Sequence, residues 1–189
     1  MSFIERLWYD AVVRLAGLKL PEGGLYLGAD GSETAVTATA AELNRVADVS
    51  GRLVTSAAAT LALDVDTHDG KTVVLTKTDG QAVTLPAATG SGARFRVVIG
   101  ATIASVGTTI KVVGNDTMKG LALGLDGDGV PANAWATASD SDTITMDGST
   151  QGGVVGDVVE LQDIAADIWA VQLRLQQSGT EATPFSATV

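Results

Sequence analysis

The chain has 189 residues, of which 46% are hydrophobic but only 4% aromatic, and it contains no cysteine. Its 22 acidic residues outnumber 12 basic ones, and the resulting net charge of −10, with no basic stripe, argues against nucleic-acid binding. The absence of cysteine excludes disulfides, thiol catalysis and cysteine-ligated zinc. This length suits one domain with a small appendage, and small apolar residues favour thin β layers or burial shared between subunits.

Residues 1–20 are predicted to form an N-terminal amphipathic helix. Ser2 and Glu5 have the spacing of a capping box, and Gly17 followed by Pro21 predicts the end of the helix. The apolar side chains recur at three- and four-residue spacing and define one face: Phe3, Ile4, Leu7, Trp8, Ala11, Val12, Leu15 and Ala16.

Three roles are open for this helix. It packs on its own domain, it serves as an anchor or oligomerisation arm, or it inserts into a membrane surface. The third is the weakest, because the polar face is not rich in lysine. We expect no membrane partner, since no apolar run reaches the ~18–20 residues of a spanning helix. The N-terminus also lacks the pattern of a secretory signal.

Residues 21–52 are predicted to be a linker that carries a second short helix. The first part is rich in glycine and is expected to be irregular or a short hairpin. Thr39 and Glu42 repeat the capping-box spacing, and the helix that follows is expected to end near Ser50. A helix this short is marginal alone and must dock on something.

From Leu53 onward the apolar period changes from about 3.6 residues to 2, which predicts a β domain over residues 53–178. The expected fold is mainly β, a β-sandwich or small β-barrel of short antiparallel strands with frequent turns. The strands are expected at residues 61–66, 72–76, 82–85, 95–99, 108–113, 118–125, 143–146, 154–161 and 168–175.

Three connections complete this prediction. Residues 126–142 are expected to be a long loop or lid that carries Trp135. Residues 162–167 are long enough for a hairpin loop of four to six residues. Residues 179–189 are predicted to be a C-terminal tail with Phe185 as its only large anchor.

Two aspartate-rich segments are candidate cation sites. Asp64 and Asp66 begin a segment like a calcium loop, but His68 occupies the third ligand position of that pattern. Asp126 and Asp128 form a shorter candidate. Aspartate and glycine are common in turns, so both segments are interpreted as turns, with the histidine on the surface and no metal bound.

The sequence contains no arrangement of residues that predicts an enzyme. His68 is the only histidine, and no Gly-x-Ser-x-Gly elbow supplies a nucleophile. The phosphate-binding glycine pattern is absent, and only Trp135 offers an aromatic platform for a sugar. We therefore expect no catalytic residue, no cofactor and no small-molecule substrate.

Three segments resemble structural proteins of tailed bacteriophages. Residues 39–44 (Thr-Ala-Ala-Glu-Leu-Asn) resemble an element found in head and tail proteins alike. Residues 84–120 resemble the β domain of capsid decoration (cement) and head-fibre proteins, and residues 138–161 with Trp169 continue that resemblance. In total the resemblance covers roughly residues 37–189, so the N-terminal helix lies outside it.

The resemblance implies a non-enzymatic virion protein, made in the host cytoplasm, that decorates and stabilises the outer surface of the capsid. It implies the major capsid protein as partner and a homotrimer as the assembly. Two alternatives are a tail-fibre or receptor-binding module with residues 126–142 as the recognition surface, and a carbohydrate-active or calcium-binding β domain. We predict that six apolar residues contact the capsid or a neighbouring subunit: Phe3, Ile4, Leu7, Trp8, Val12 and Phe185.

Overall fold

The computed structural model describes residues 26–27, 34–35, 50–126 and 132–188. The chain divides into two compact units, Met1–Asp48 and Val49–Val189. In the first unit, β1 (Tyr26–Leu27) pairs antiparallel with β2 (Thr34–Ala35). The predicted helix of residues 1–20 lies outside the described residues, and so does the second predicted helix, except for its expected end at Ser50, where a 3-10 turn begins.

The second unit is mainly β, as predicted, and contains two sheets. The strands of the larger sheet are β3 (Leu53–Ser56), β5 (Thr72–Leu75), β7 (Arg94–Ile99), β9 (Thr117–Asp126), β10 (Asn133–Ala136), β12 (Val158–Ala165) and β13 (Ile168–Gln177). Those of the smaller sheet are β4 (Thr60–Ala62), β6 (Ala82–Thr84), β8 (Thr108–Lys111), β11 (Thr143–Met146) and β14 (Phe185–Ser186). The spatial orders are β10-β9-β13-β12-β7-β5-β3 and β14-β11-β8-β6-β4. A 3-10 turn (Ser50–Arg52) and the one-turn helix α1 (Val65–His68) complete the described elements.

Strands β3 to β8 alternate between the two sheets. A chain that crosses to the other sheet after each strand returns in its original direction, so β3, β5 and β7 pair in parallel. Strands β4, β6 and β8 do the same in the smaller sheet. The prediction of antiparallel strands is therefore wrong for this half, and also for the β9–β13 pair, which is parallel. No fixed-period repeat is visible in the sequence, because the residues that pair across β3, β5 and β7 are unevenly spaced along the chain. An example is the row of Leu53, Thr72 and Arg96.

Most strand positions agree with the alternation of apolar residues. The strands predicted at residues 72–76, 82–85, 95–99, 108–113, 118–125 and 143–146 are confirmed to within two residues. The strand predicted at residues 154–161 is displaced by four residues, since β12 spans Val158–Ala165. The predicted hairpin loop at residues 162–167 is therefore wrong, because Ala165 pairs with Ile168. Asp167 in the resulting tight turn has a φ of 62°, a left-handed conformation that aspartate tolerates better than most residues.

Three further segments differ from the prediction. The strand expected at residues 61–66 ends at Ala62, and α1 begins where Asp64 caps it by accepting a hydrogen bond from the Thr67 N–H. The expected loop at 126–142 contains β10, which pairs with β9, while residues 127–131 lie outside the described part. The expected tail contains β14, which pairs with β11 because Phe185 is buried.

Both sheets contribute to one hydrophobic core. Phe95 and Trp169 from the larger sheet stack with ring centroids 5.6 Å apart, and both are at most 1% exposed. Ile110 and Ile144 from the smaller sheet are fully buried in the same cluster. The face of each sheet that points away from this core is therefore the surface on which a site can be built.

Candidate functional site

The outer face of the larger sheet carries a row of polar side chains. Arg94 and Arg96 point outward because Phe95 between them is buried, and the same alternation on β12 places Glu160 and Gln162, both half-buried, on the outer face. The register sets these residues opposite one another. Arg96 faces Glu160 across β7 and β12, and Arg94 faces Gln162.

These side chains line an open depression of about 610 Å³, which we call the arginine trough. Its polar lining consists mainly of Lys71, Arg94, Arg96, Glu160, Gln162 and Gln172. The trough lies across four adjacent strands, and its backbone frame is continuous sheet. Its shape is therefore fixed by the sheet, while its chemistry is set by long, partly exposed side chains.

Positive charge exceeds negative charge in the trough. Arg174 donates to the Glu160 carboxylate at 2.7 Å, and the Arg96 Nε lies 3.8 Å from the same oxygen. Lys71 and Arg94 take part in neither ion pair. With its amide oxygen turned toward Arg94, Gln162 accepts from that guanidinium at 3.2 and 3.3 Å. Glu160, the single carboxylate of the lining, thus interacts with Arg96 and Arg174. Lys71 and Arg94 have no acidic partner in these ion pairs.

One more carboxylate belongs to the surroundings of the trough. Asp69, half-buried, accepts a hydrogen bond from the backbone N–H of Arg94 at 2.8 Å. That bond fixes the start of β7, because it ties the strand to the end of α1. The acidic group therefore holds the backbone of an arginine whose guanidinium lines the trough.

A second surface feature lies near one edge of the same sheet. Leu121, Leu123 and Leu125 are 46%, 48% and 62% exposed, and we call them the leucine stripe. The residues between them on β9 are buried, so the three side chains share the outer face. Ala134 and Ala136 of the edge strand β10 pair with this stripe and are exposed. The five side chains form an apolar surface without an ionisable group.

Several aspartates are buried and hold loops in place. The clearest is Asp163, 2% exposed, whose carboxylate accepts from the backbone N–H groups of Thr89, Gly90 and Ser91 at 2.7–3.0 Å and from the Ser91 hydroxyl at 2.7 Å. Burial alone would raise the pKa of Asp163, but these hydrogen bonds outweigh it and lower the pKa to about 2. The ionised side chain of Asp163 therefore joins β12 to the loop before β7 through hydrogen bonds.

Asp157 has the opposite balance. It is 3% exposed and accepts from the backbone N–H groups of Gly153, Val154 and Gln176 at 2.8–3.1 Å. Here burial dominates over the hydrogen bonds and raises the pKa of Asp157. Asp116 and Asp142 are buried as well, so a part of the acidity lies inside the fold and not on its surface.

The predicted contact residues fall into two groups. Phe3, Ile4, Leu7, Trp8 and Val12 lie outside the described residues. Phe185 is 7% exposed and packs in the core of its own chain. Its contact with another chain stays a prediction, and the contact that the structure gives it is within the chain.

The predicted surface position of His68 is wrong. The ring is 5% exposed, and its Nδ1 lies 3.1 Å from the backbone nitrogen of Asp64 and 3.2 Å from the Asp64 carboxylate. Burial acts against the ionised form of Asp64, but the hydrogen bonds from Thr67 and the nearby His68 outweigh it and lower the pKa of Asp64. Trp135 is likewise half-buried against the core and not a platform on a lid.

The described residues give neither a metal cluster nor a membrane helix. Across residues 50–126 and 132–188, no group of three or more histidine, aspartate or glutamate side chains is arranged to hold a metal ion. In the same ranges no helix has the length and apolar character needed to cross a membrane. Asp128, part of the shorter candidate segment interpreted as a turn, lies outside the described residues.

Comparison with known proteins leaves the surface chemistry as the basis for a functional proposal. No protein-family model, curated protein or solved structure matches the chain. The arginine trough and the leucine stripe were both missed by the sequence interpretation. The alternations Arg-Phe-Arg at residues 94–96 and Leu-Ala-Leu-Gly-Leu at 121–125 are signals for two outward rows, but only the sheet order shows which strands lie beside them.

Proposed function

We propose that the chain is a non-enzymatic structural protein of a tailed-bacteriophage virion that decorates and stabilises the outside of the capsid as a homotrimer. The resemblance of residues 37–189 to decoration and head-fibre proteins supports the virion role. The leucine stripe carries the proposal of self-association. A β-sandwich is the body we propose, since no strand pair joins the two sheets within the described residues.

The argument from the leucine stripe rests on charge and apolar area. A chain of net charge −10 repels its own copies, so association is favoured where the contact surface carries no charge. The stripe and its two flanking alanines carry no charge, and Arg174, which lies beside Leu123 on β13, is paired with Glu160. The apolar surface of the stripe and the alanines gains roughly 25 cal/mol for each Å² removed from water. The stripe also lies beside β10, an edge strand whose outer backbone groups pair with no strand in the described residues.

The mass of the purified full chain in solution tests this association. We expect a trimer, and we expect Leu121→Ser combined with Leu123→Ser to shift the mass toward the monomer. Leu53→Ser is the matched control, because Leu53 is 61% exposed at the opposite edge of the same sheet. A monomeric native chain, or a trimer that the stripe variant leaves intact, would refute the role given to the stripe.

The tail-fibre or receptor-binding alternative rests on residues 39–44, because that element occurs in head and tail proteins alike. The two roles differ in where the protein lies on the particle. Antibody labelling of the particles separates them, since a head protein labels capsids and a fibre protein labels tails.

A further inference from the structure

We propose that the arginine trough binds a short acidic peptide segment of a partner protein, through two carboxylates that lie two residues apart in an extended chain. Arg94 and Arg96 lie on one face of one strand, two residues apart. Their Cα atoms are therefore separated by roughly 7 Å, the repeat of alternate residues in a strand. Alternate carboxylates of an extended peptide have the same spacing, so each can meet one guanidinium.

The cations of the trough are placed to accept such a ligand. Lys71 and Arg94 have no part in the ion pairs of this face, and Arg96 shares Glu160 with Arg174 at the longer distance of 3.8 Å. Guanidinium groups bind carboxylates through paired hydrogen bonds, which gives direction as well as attraction. An incoming carboxylate can therefore bind both arginines. Arg94 is at present hydrogen-bonded to the amide of Gln162, and Arg96 shares a more distant oxygen of Glu160 with Arg174.

The amides of the trough suit a peptide more than a simple anion. Gln162 and Gln172 line the depression beside the charged groups. A glutamine amide offers two donors and an acceptor, the complement of a peptide backbone. The side chains thus provide groups for both the carboxylates and the main chain of an extended segment.

The distribution of charge favours a short segment over nucleic acid. The lining of the trough carries Lys71, Arg94 and Arg96 against the single carboxylate of Glu160, on a chain of net charge −10. At physiological ionic strength, charges act over about 8 Å, so a ligand of trough size experiences mainly the local cations. A nucleic acid extends well past the trough, over a chain whose 22 acidic residues outnumber its 12 basic ones and repel the phosphates. This inference does not depend on the proposed virion role.

Fluorescence anisotropy with a labelled seven-residue peptide that alternates glutamate and threonine tests the proposal. We expect binding by the full native chain in low salt, and none by a peptide with glutamine in place of each glutamate. Arg94→Gln and Arg96→Gln should each weaken binding roughly threefold, as for partly exposed ion pairs. Lys111→Gln is the matched control, because it removes the same charge from the smaller sheet and should leave binding unchanged.

Glu160→Gln provides the opposite test. It removes the carboxylate that Arg96 and Arg174 share, so we expect tighter binding of the same peptide, again by roughly threefold. Circular dichroism confirms that each variant is folded before its affinity is compared. Absence of peptide binding by the native chain, binding that the Arg94→Gln/Arg96→Gln double variant retains, or tighter binding of a single-stranded DNA oligonucleotide would each overturn the proposal.

Discussion

Replacing Asp163 by asparagine should disrupt the hydrogen bonds that join β12 to residues 89–91 in the second unit. The native carboxylate accepts three backbone N–H groups and a hydroxyl, and it is almost fully buried. Asparagine keeps the shape of the side chain but replaces one acceptor oxygen with an NH₂ group. That group would point its hydrogens at backbone donors of residues 89–91, so hydrogen bonds are lost and like groups oppose one another.

The pKa gives the size of the effect. In the folded chain the pKa of Asp163 is about 2, against an ordinary value of 3.8. Each unit of difference corresponds to roughly 1.4 kcal/mol, so the ionised side chain contributes about 2 kcal/mol to the free energy of unfolding. Because the folded pKa is the lower one, this contribution is complete above pH 3.8 and is lost as the pH falls toward 2.

Urea unfolding of the native chain and Asp163→Asn across a pH series measures this contribution. We expect the variant to be less stable by about 2 kcal/mol at pH 7, with the difference shrinking as the pH falls below 4. Asp79→Asn is the control, because Asp79 carries the same charge at an exposed position. A difference below about 0.5 kcal/mol at pH 7, the range of ordinary surface substitutions, would refute the role given to Asp163.

Three other predictions test separate parts of the account. Phe185→Ala should lower the free energy of unfolding by roughly 3–5 kcal/mol in urea titration, because the ring is buried in the core; a loss under 1 kcal/mol would refute that placement. Gly80→Ala should cost at least roughly 1–3 kcal/mol, because Gly80 has a φ of 81° and an added Cβ would lie 1.8 Å from the Val106 carbonyl oxygen; an unchanged melting temperature would contradict this. Deleting residues 1–20 should reduce the amount of protein bound to capsids. Unchanged occupancy would refute the hypothesis that the N-terminal segment anchors the protein.

The strands could be predicted because alternation is a local signal. In β7 and β9, each buried residue lies between exposed or half-buried ones, so the period of 2 marks the element and its faces. The choice of sheet is not local. Strands β5 and β6 have similar alternation, yet they belong to different sheets. Each therefore pairs in parallel with strands of its own sheet, β5 with β3 and β7, and β6 with β4 and β8.

The buried aspartates and the arginine trough depend on contacts between distant segments. Asp163 binds a loop more than 70 residues earlier, so nothing near it in the sequence distinguishes it from a surface aspartate. The trough combines Arg96 and Glu160 through the register of β7 and β12, and it includes Lys71 because that residue directly precedes β5, which pairs with β7. A sequence pattern indicates that such residues point outward, but the register decides which of them meet.

Location on the virion is the most direct test of the proposed function. Particles purified from the lysate in which the chain is produced can be labelled with antibody against it and imaged by electron microscopy. The proposal predicts label on the outer surface of the heads. Label confined to tails, or particles that carry none of the protein, would contradict it.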